Sequence, residues 1–193
     1  YDKRDFDRAI ADLNQAINVK PDYTAAFNVR GLAYNGKGDS DRAIADFDQG
    51  LRIDPHFAAA LSNRGDAFQK KRNFDRAITD FDEAIKANPN FAGAYYSRGL
   101  ANQDKRDFEH AIADFTRAIK LDGKNADAFD ARGFSYLNRN DSDHAFQDFE
   151  QAIKLRPNFS AAYYNRGVAY YERRDLDRAI ADLHPRVRLN PRT

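Results

Sequence analysis

The sequence predicts an all-α fold, a solenoid of stacked helix-turn-helix units. Three observations carry that expectation. Several residue columns recur with one common step of 34 residues. Helix-capping and helix-breaking residues fall at matching places in each step. Between them, apolar residues follow the 3.6-residue period of an amphipathic helix.

The columns are regular. Arg-Gly stands at Arg30-Gly31, Arg64-Gly65, Arg98-Gly99, Arg132-Gly133 and Arg166-Gly167. Aspartate recurs at Asp12, Asp46, Asp80, Asp114, Asp148 and Asp182, and alanine at Ala9, Ala43, Ala77, Ala111, Ala145 and Ala179. Proline follows at Pro21, Pro55, Pro89, Pro157 and Pro191, with Gly123 interrupting the series. The units are 24–57, 58–91, 92–125, 126–159 and an atypical 160–193, preceded by a partial unit 1–23. Residues 1–193 are expected to form a single domain.

In each unit the first helix carries one apolar stripe, as at Phe27, Gly31 and Tyr34. Gly36-Lys37-Gly38 breaks it, and Asp39 is placed to cap the next helix. Asp5, Asn73, Asp107, Asp141 and Asp175 are the equivalent caps. A second acid two residues on (Asp7, Asp41, Asp75, Glu109, Asp143, Asp177) suits the positive end of the helix dipole. The second helix carries Ala43, Phe47 and Gly50, ends on basic residues such as Arg52, and meets a proline that cannot continue it. Gly31 and Ala43 are expected to let the two backbones approach closely. The columns led by Phe27 and Phe47 would then fill a core continuous from unit to unit.

Three places depart from the pattern. Asn102 replaces the Tyr or Phe of its column, and Asn125 replaces the aromatic of Tyr23, Phe57, Phe91 and Phe159. With Gly123 nearby, the junction at 120–126 is expected to be locally altered. Pro185 falls inside the last helix, so residues 184–193 are expected to bend or fray.

These residues resemble the tetratricopeptide repeat, a 34-residue helix-turn-helix unit, over the whole chain. Residues 24–57 match its signature through Phe27, Gly31, Tyr34, Ala43, Phe47 and Pro55, with Gly50 where alanine is usual. Tyr-Tyr-x-Arg-Gly followed by Asp-x-Ala-Ile-x-Asp-Phe looks like the bacterial form. The resemblance implies a right-handed α-solenoid that binds a protein or peptide in the concave groove lined by its first helices.

Composition narrows the function further. With 31 basic and 30 acidic residues, a net charge of +1, bulk electrostatic binding of nucleic acid is not expected. The absence of cysteine excludes thiol catalysis, zinc thiolates and disulfides. No apolar run is long enough to span a bilayer. A soluble, cytoplasmic or periplasmic chain is expected. Beginning at Tyr1 without any methionine, it is also expected to be a segment of a longer protein.

No catalytic residue, metal site or cofactor is expected. The Arg and Asp columns flank the packing faces, so each Arg is expected to pair with an Asp of its own or the preceding unit. His56, His110, His144 and His184 share no metal-ligand spacing, and the glycines lie at repeat positions rather than in a phosphate loop.

Recognition is expected on the side of each first helix opposite its packing stripe, roughly 100–200° from Phe27 at about 100° per residue. Along these slots the candidates are Asn28, Asn63, Asp66, Tyr96, Leu100, Asp130, Phe134, Leu137, Tyr164, Asn165, Val168 and Tyr171. They turn from polar to aromatic along the chain. Exposed aromatics grouped on one surface suit recognition, although Tyr96 and Tyr164 could instead fold onto neighbouring helices as gap fillers. The family's asparagine slot is matched by Asn63 and Asn165. The Lys and Arg clamp of the chaperone-tail binders is not matched. Two alternatives stand beside peptide binding. One is self-assembly into a homo-oligomer through end repeats that expose Ile10, Leu13 and Ile17. The other is a substrate-recruiting arm of a larger enzyme.

Overall fold

A computed structural model describes residues 3–183. Among the described residues there are eleven α-helices and no strand, an all-α helical repeat fold. The chain divides into two compact units, residues 1–105 and 106–193.

The first unit holds α1 (Lys3–Val19), α2 (Thr24–Gly36), α3 (Ser40–Ile53), α4 (Ala58–Lys70), α5 (Phe74–Ala87) and α6 (Ala92–Asp104). Each helix packs on the next in sequence, and the first helices α2, α4 and α6 also touch in order. The second unit holds α7 (Phe108–Leu121), α8 (Ala126–Asn138), α9 (Ser142–Leu155), α10 (Ser160–Glu172) and α11 (Leu176–Leu183). It repeats the arrangement, with α8 against α10.

The ends of the second helices follow the caps. Asp39, Asn73, Asp107, Asp141 and Asp175 each accept the backbone N–H three residues on, at 3.0 to 3.3 Å. Asp5 does not cap, because α1 already begins at Lys3 and places it in the first helical turn. The turn before each cap needs one left-handed residue. Gly38 supplies it without a side chain (φ 83°), whereas Arg72, Arg106, Asn140 and Arg174 adopt φ of 58° to 63°.

The junction at 120–126 keeps its form despite Gly123 and Asn125. Asp122 (φ −135°, ψ 88°) matches Asp54 (φ −130°, ψ 94°) and Asn88 (φ −139°, ψ 92°). The missing aromatic is offset locally, since Asn125 accepts a hydrogen bond from Ala128 N at 3.0 Å. The aromatic residues at the other junctions make no such cap.

In the core the glycine column makes room for the ring of the Phe column. A Cβ on Gly31 would lie 2.6 Å from Phe47 Cε1, and one on Gly65 would lie 2.6 Å from Phe81 Cε1. Gly133 and Phe149 repeat this at 2.7 Å. The glycine admits a ring, and at Gly133 the facing backbone is close as well, with Ala145 O only 3.2 Å from where a Cβ would sit. Phe47, Phe81, Phe115 and Phe149 are fully buried, but Leu183 in the same column is 41% exposed. Asn102 is buried in its Tyr/Phe column. The bend expected at Pro185 and residues 184–193 lies outside the described residues.

Candidate functional site

The Arg and Asp columns are used in packing. Arg30 grips Asp46 through Nε (2.8 Å) and Nη2 (2.6 Å), and Arg64 grips Asp80 at the same two distances. Arg132 with Asp148 and Arg166 with Asp182 repeat the two-pronged geometry. The third nitrogen reaches the preceding repeat: Arg64 Nη1 to Asp48 at 2.6 Å, Arg98 Nη1 to Asp82 at 2.5 Å. Both expected partners are therefore engaged by Arg64 at once. The paired carboxylate raises the guanidinium pKa of Arg30, Arg64 and Arg166 against the opposing effect of burial.

His110 and His144 lie exposed beside their own capping residues, Asp107 and Asp141, at 2.8 Å. The hydrogen bond that Asp107 accepts, aided by its charge, raises the His110 pKa. Among the described residues no cluster of three His, Asp or Glu side chains could hold a metal ion.

A further ladder crosses between repeats. Lys37 meets Asp7, Lys71 meets Asp41, Lys105 meets Asp75 (2.5 Å) and Arg173 meets Asp143 (2.6 Å). The acids read from sequence as partners of the helix dipole thus also tie one repeat to the next. Pairing the basic column with the acidic column 30 residues earlier would have found it.

The candidate face separates into two kinds of slot. In the first unit Asn28 is 8% exposed and accepts from Asn63 Nδ2 at 2.9 Å, across the contact of α2 with α4. Ser62, in the same slot, is also buried. At Asn28 and Ser62 the slot closes against the neighbouring first helix, where it was expected to open toward a ligand. Tyr96 and Leu100 are half-buried, as are Asn63 and Asp66. Burial pushes the Asp66 carboxyl up, opposed by hydrogen bonding with Ser97 and by the charge of Lys70. Lys70, not among the sequence candidates, is exposed and donates to the Asn35 carbonyl at 3.2 Å.

In the second unit Asn165 Nδ2 donates to Asp130 Oδ1 at 2.9 Å and joins α10 to α8. Phe134 is 39% exposed, Tyr164 62% and Tyr171 65%, while Leu137, Val168, Asn165 and Asp130 are half-buried. On α8, Asp130, Phe134 and Leu137 share one stripe at i, i+4, i+7. Tyr164, Val168 and Tyr171 do so on α10. Nearby, Arg156 holds Asp127 through two nitrogens at 3.1 and 2.5 Å, a pair the sequence reading missed.

A family model described as tetratricopeptide repeat matches residues 1–56 and 62–129, and one described as TPR repeat matches residues 135–173. The chain is similar to a crystal structure of MamA, with a TM-score of 0.74 and 29% identity over 82% of this chain and 92% of that one. It is also similar to YrrB, described as a TPR protein with an unusual peptide-binding site. That likeness has a TM-score of 0.75 and 21% identity over 93% of this chain and 96% of that one. PilF of Pseudomonas aeruginosa shares the fold with a TM-score of 0.77 and 21% identity, over 85% of this chain and 76% of that one. No curated protein sequence matches significantly. No helix among the described residues is long and apolar enough to cross a membrane.

Proposed function

Taking as premise that the chain belongs to the tetratricopeptide repeat family, whose fold serves as a protein-protein interaction scaffold, we propose that it binds an extended peptide or partner helix on its first helices. In the second unit the binding face is that of α8 and α10. The supporting observation is the three exposed aromatics on these helices, Phe134, Tyr164 and Tyr171, with the helices themselves joined by the Asp130–Asn165 bond. Large apolar side chains in water-facing slots contribute little to folding but desolvate well against a partner. Preformed helices keep the ordering cost of binding low. The peptide-binding site named for YrrB supports this ligand class through shared fold alone. No catalytic step is assigned, since the recurring Arg and Asp groups are engaged with one another.

The test is affinity capture from native lysate with the wild type and the pair Phe134→Ala with Tyr164→Ala. The expected outcome is loss of the captured partner with little change in melting temperature. Capture that survives the pair moves the site elsewhere. Self-association is a second reading, favoured by the exposed Leu176, Ile180 and Leu183 along α11.

A further inference from the structure

The face of α8 and α10 contains a carboxylate with one oxygen bonded within the protein and the other left to solvent or a ligand. Asn165 donates to Asp130 Oδ1 at 2.9 Å, and among the described residues no hydrogen bond reaches Oδ2. The nearby cation is committed, since Arg156 holds Asp127 with both terminal nitrogens. Burial pushes the Asp130 carboxyl up. The Asn165 bond opposes this, Asp127 adds to it, and Arg156 offsets part of it at a distance. One helical turn along α8 lies Phe134, an exposed ring on the same stripe as the carboxylate.

An incoming ammonium or guanidinium would complete such a group with a charge-assisted hydrogen bond. Its aliphatic stem would cover apolar surface at the same time, and Tyr164 adds an aromatic face on α10 that suits a cation. A ligand carboxylate would instead meet Asp130 as a like charge, Asp127 being already offset by Arg156. Charge complementarity therefore selects the occupant.

We propose that this face takes peptide segments in which a Lys or Arg adjoins an aromatic or branched apolar residue, the cation meeting Asp130 Oδ2 and the apolar side chain meeting Phe134. The inference rests on the reading of α8 and α10 as a peptide-binding face and adds the chemistry of its ligand.

A random peptide library displayed on phage, panned on the whole chain, provides the test. Selected peptides are then measured by fluorescence anisotropy, at low and high salt, against wild type, Asp130→Asn and the Phe134→Ala/Tyr164→Ala pair. Asp130→Asn keeps an oxygen for Asn165, and replacing the peptide's cation by norleucine probes the same contact without altering the protein. The expected peptides carry Lys or Arg beside an apolar residue and weaken as salt rises. Either change, Asp130→Asn or norleucine, costs them about tenfold in affinity. Peptides without a cation, or peptides lost to the aromatic pair but indifferent to Asp130→Asn and norleucine, overturn the charge assignment and leave the peptide-binding face standing. Peptides indifferent to every substitution, or no enrichment at all, overturn the face and this inference with it.

Discussion

Asp66 and Asp130 are both half-buried acids on first helices, and each is partly compensated from the following repeat, by Ser97 and by Asn165. Burial raises the Asp66 carboxyl above its ordinary value, so the folded chain holds this proton more tightly than the unfolded chain. Its contribution to stability is therefore fully present at low pH and is lost as pH rises through the folded pKa. Asp66→Asn retains an acceptor for Ser97 and removes the buried charge. Its melting temperature is expected to exceed that of wild type at neutral pH, with the gap closing as pH falls toward about 4. Thermal melts across that range check this; a gap independent of pH would assign the effect to something other than the carboxylate. The Arg–Asp pairs differ in kind. Asp148 is 4% exposed and doubly bonded to Arg132, and removing one member of such a pair typically costs about 3 kcal/mol because the other charge is left buried.

The helix pair is organised around one ring. Phe81 of α5 lies against Gly65 of α4, with the surrounding alanines Ala77 and Ala101 fully buried. A methyl group at position 65 favours the helix by up to about 1 kcal/mol but must displace the ring. Overpacking of this kind usually costs about 1 to 3 kcal/mol, so Gly65→Ala is expected to lower stability in urea unfolding. A gain would show that the ring relaxes freely. The same element shows what spacing reveals and what it leaves out. The small residue in the Gly65 column is plain in sequence, but whether it faces a backbone or a ring depends on the rotamer of a residue 16 positions away. Asn125 teaches the same lesson: its departure from an aromatic column suggested an altered junction. A local hydrogen bond to Ala128 keeps that junction regular.

Beyond single pairs, α11 presents Leu176, Ile180 and Leu183 at i, i+4, i+7, with Ile180 58% exposed. If a second copy covers this stripe, sedimentation velocity will show mass rising with concentration. Ile180→Asp is then expected to abolish the rise, while the Phe134→Ala/Tyr164→Ala pair leaves it intact. A monomer at all concentrations removes the self-association reading.

Helix positions, every second-helix cap but Asp5, and the identity of the buried rings were legible in the residues alone, because they depend on contacts within a turn or on a 34-residue period repeated throughout. The face proposed for recognition was only partly legible. A helical wheel placed Asn28 at the edge of the open side, yet Asn63 lies 35 residues away in sequence and closes over it. Periodicity orients a helix against its own partner but carries no register for the neighbouring repeat. The packing of α2 on α4 and of α8 on α10 sets which slots water still reaches.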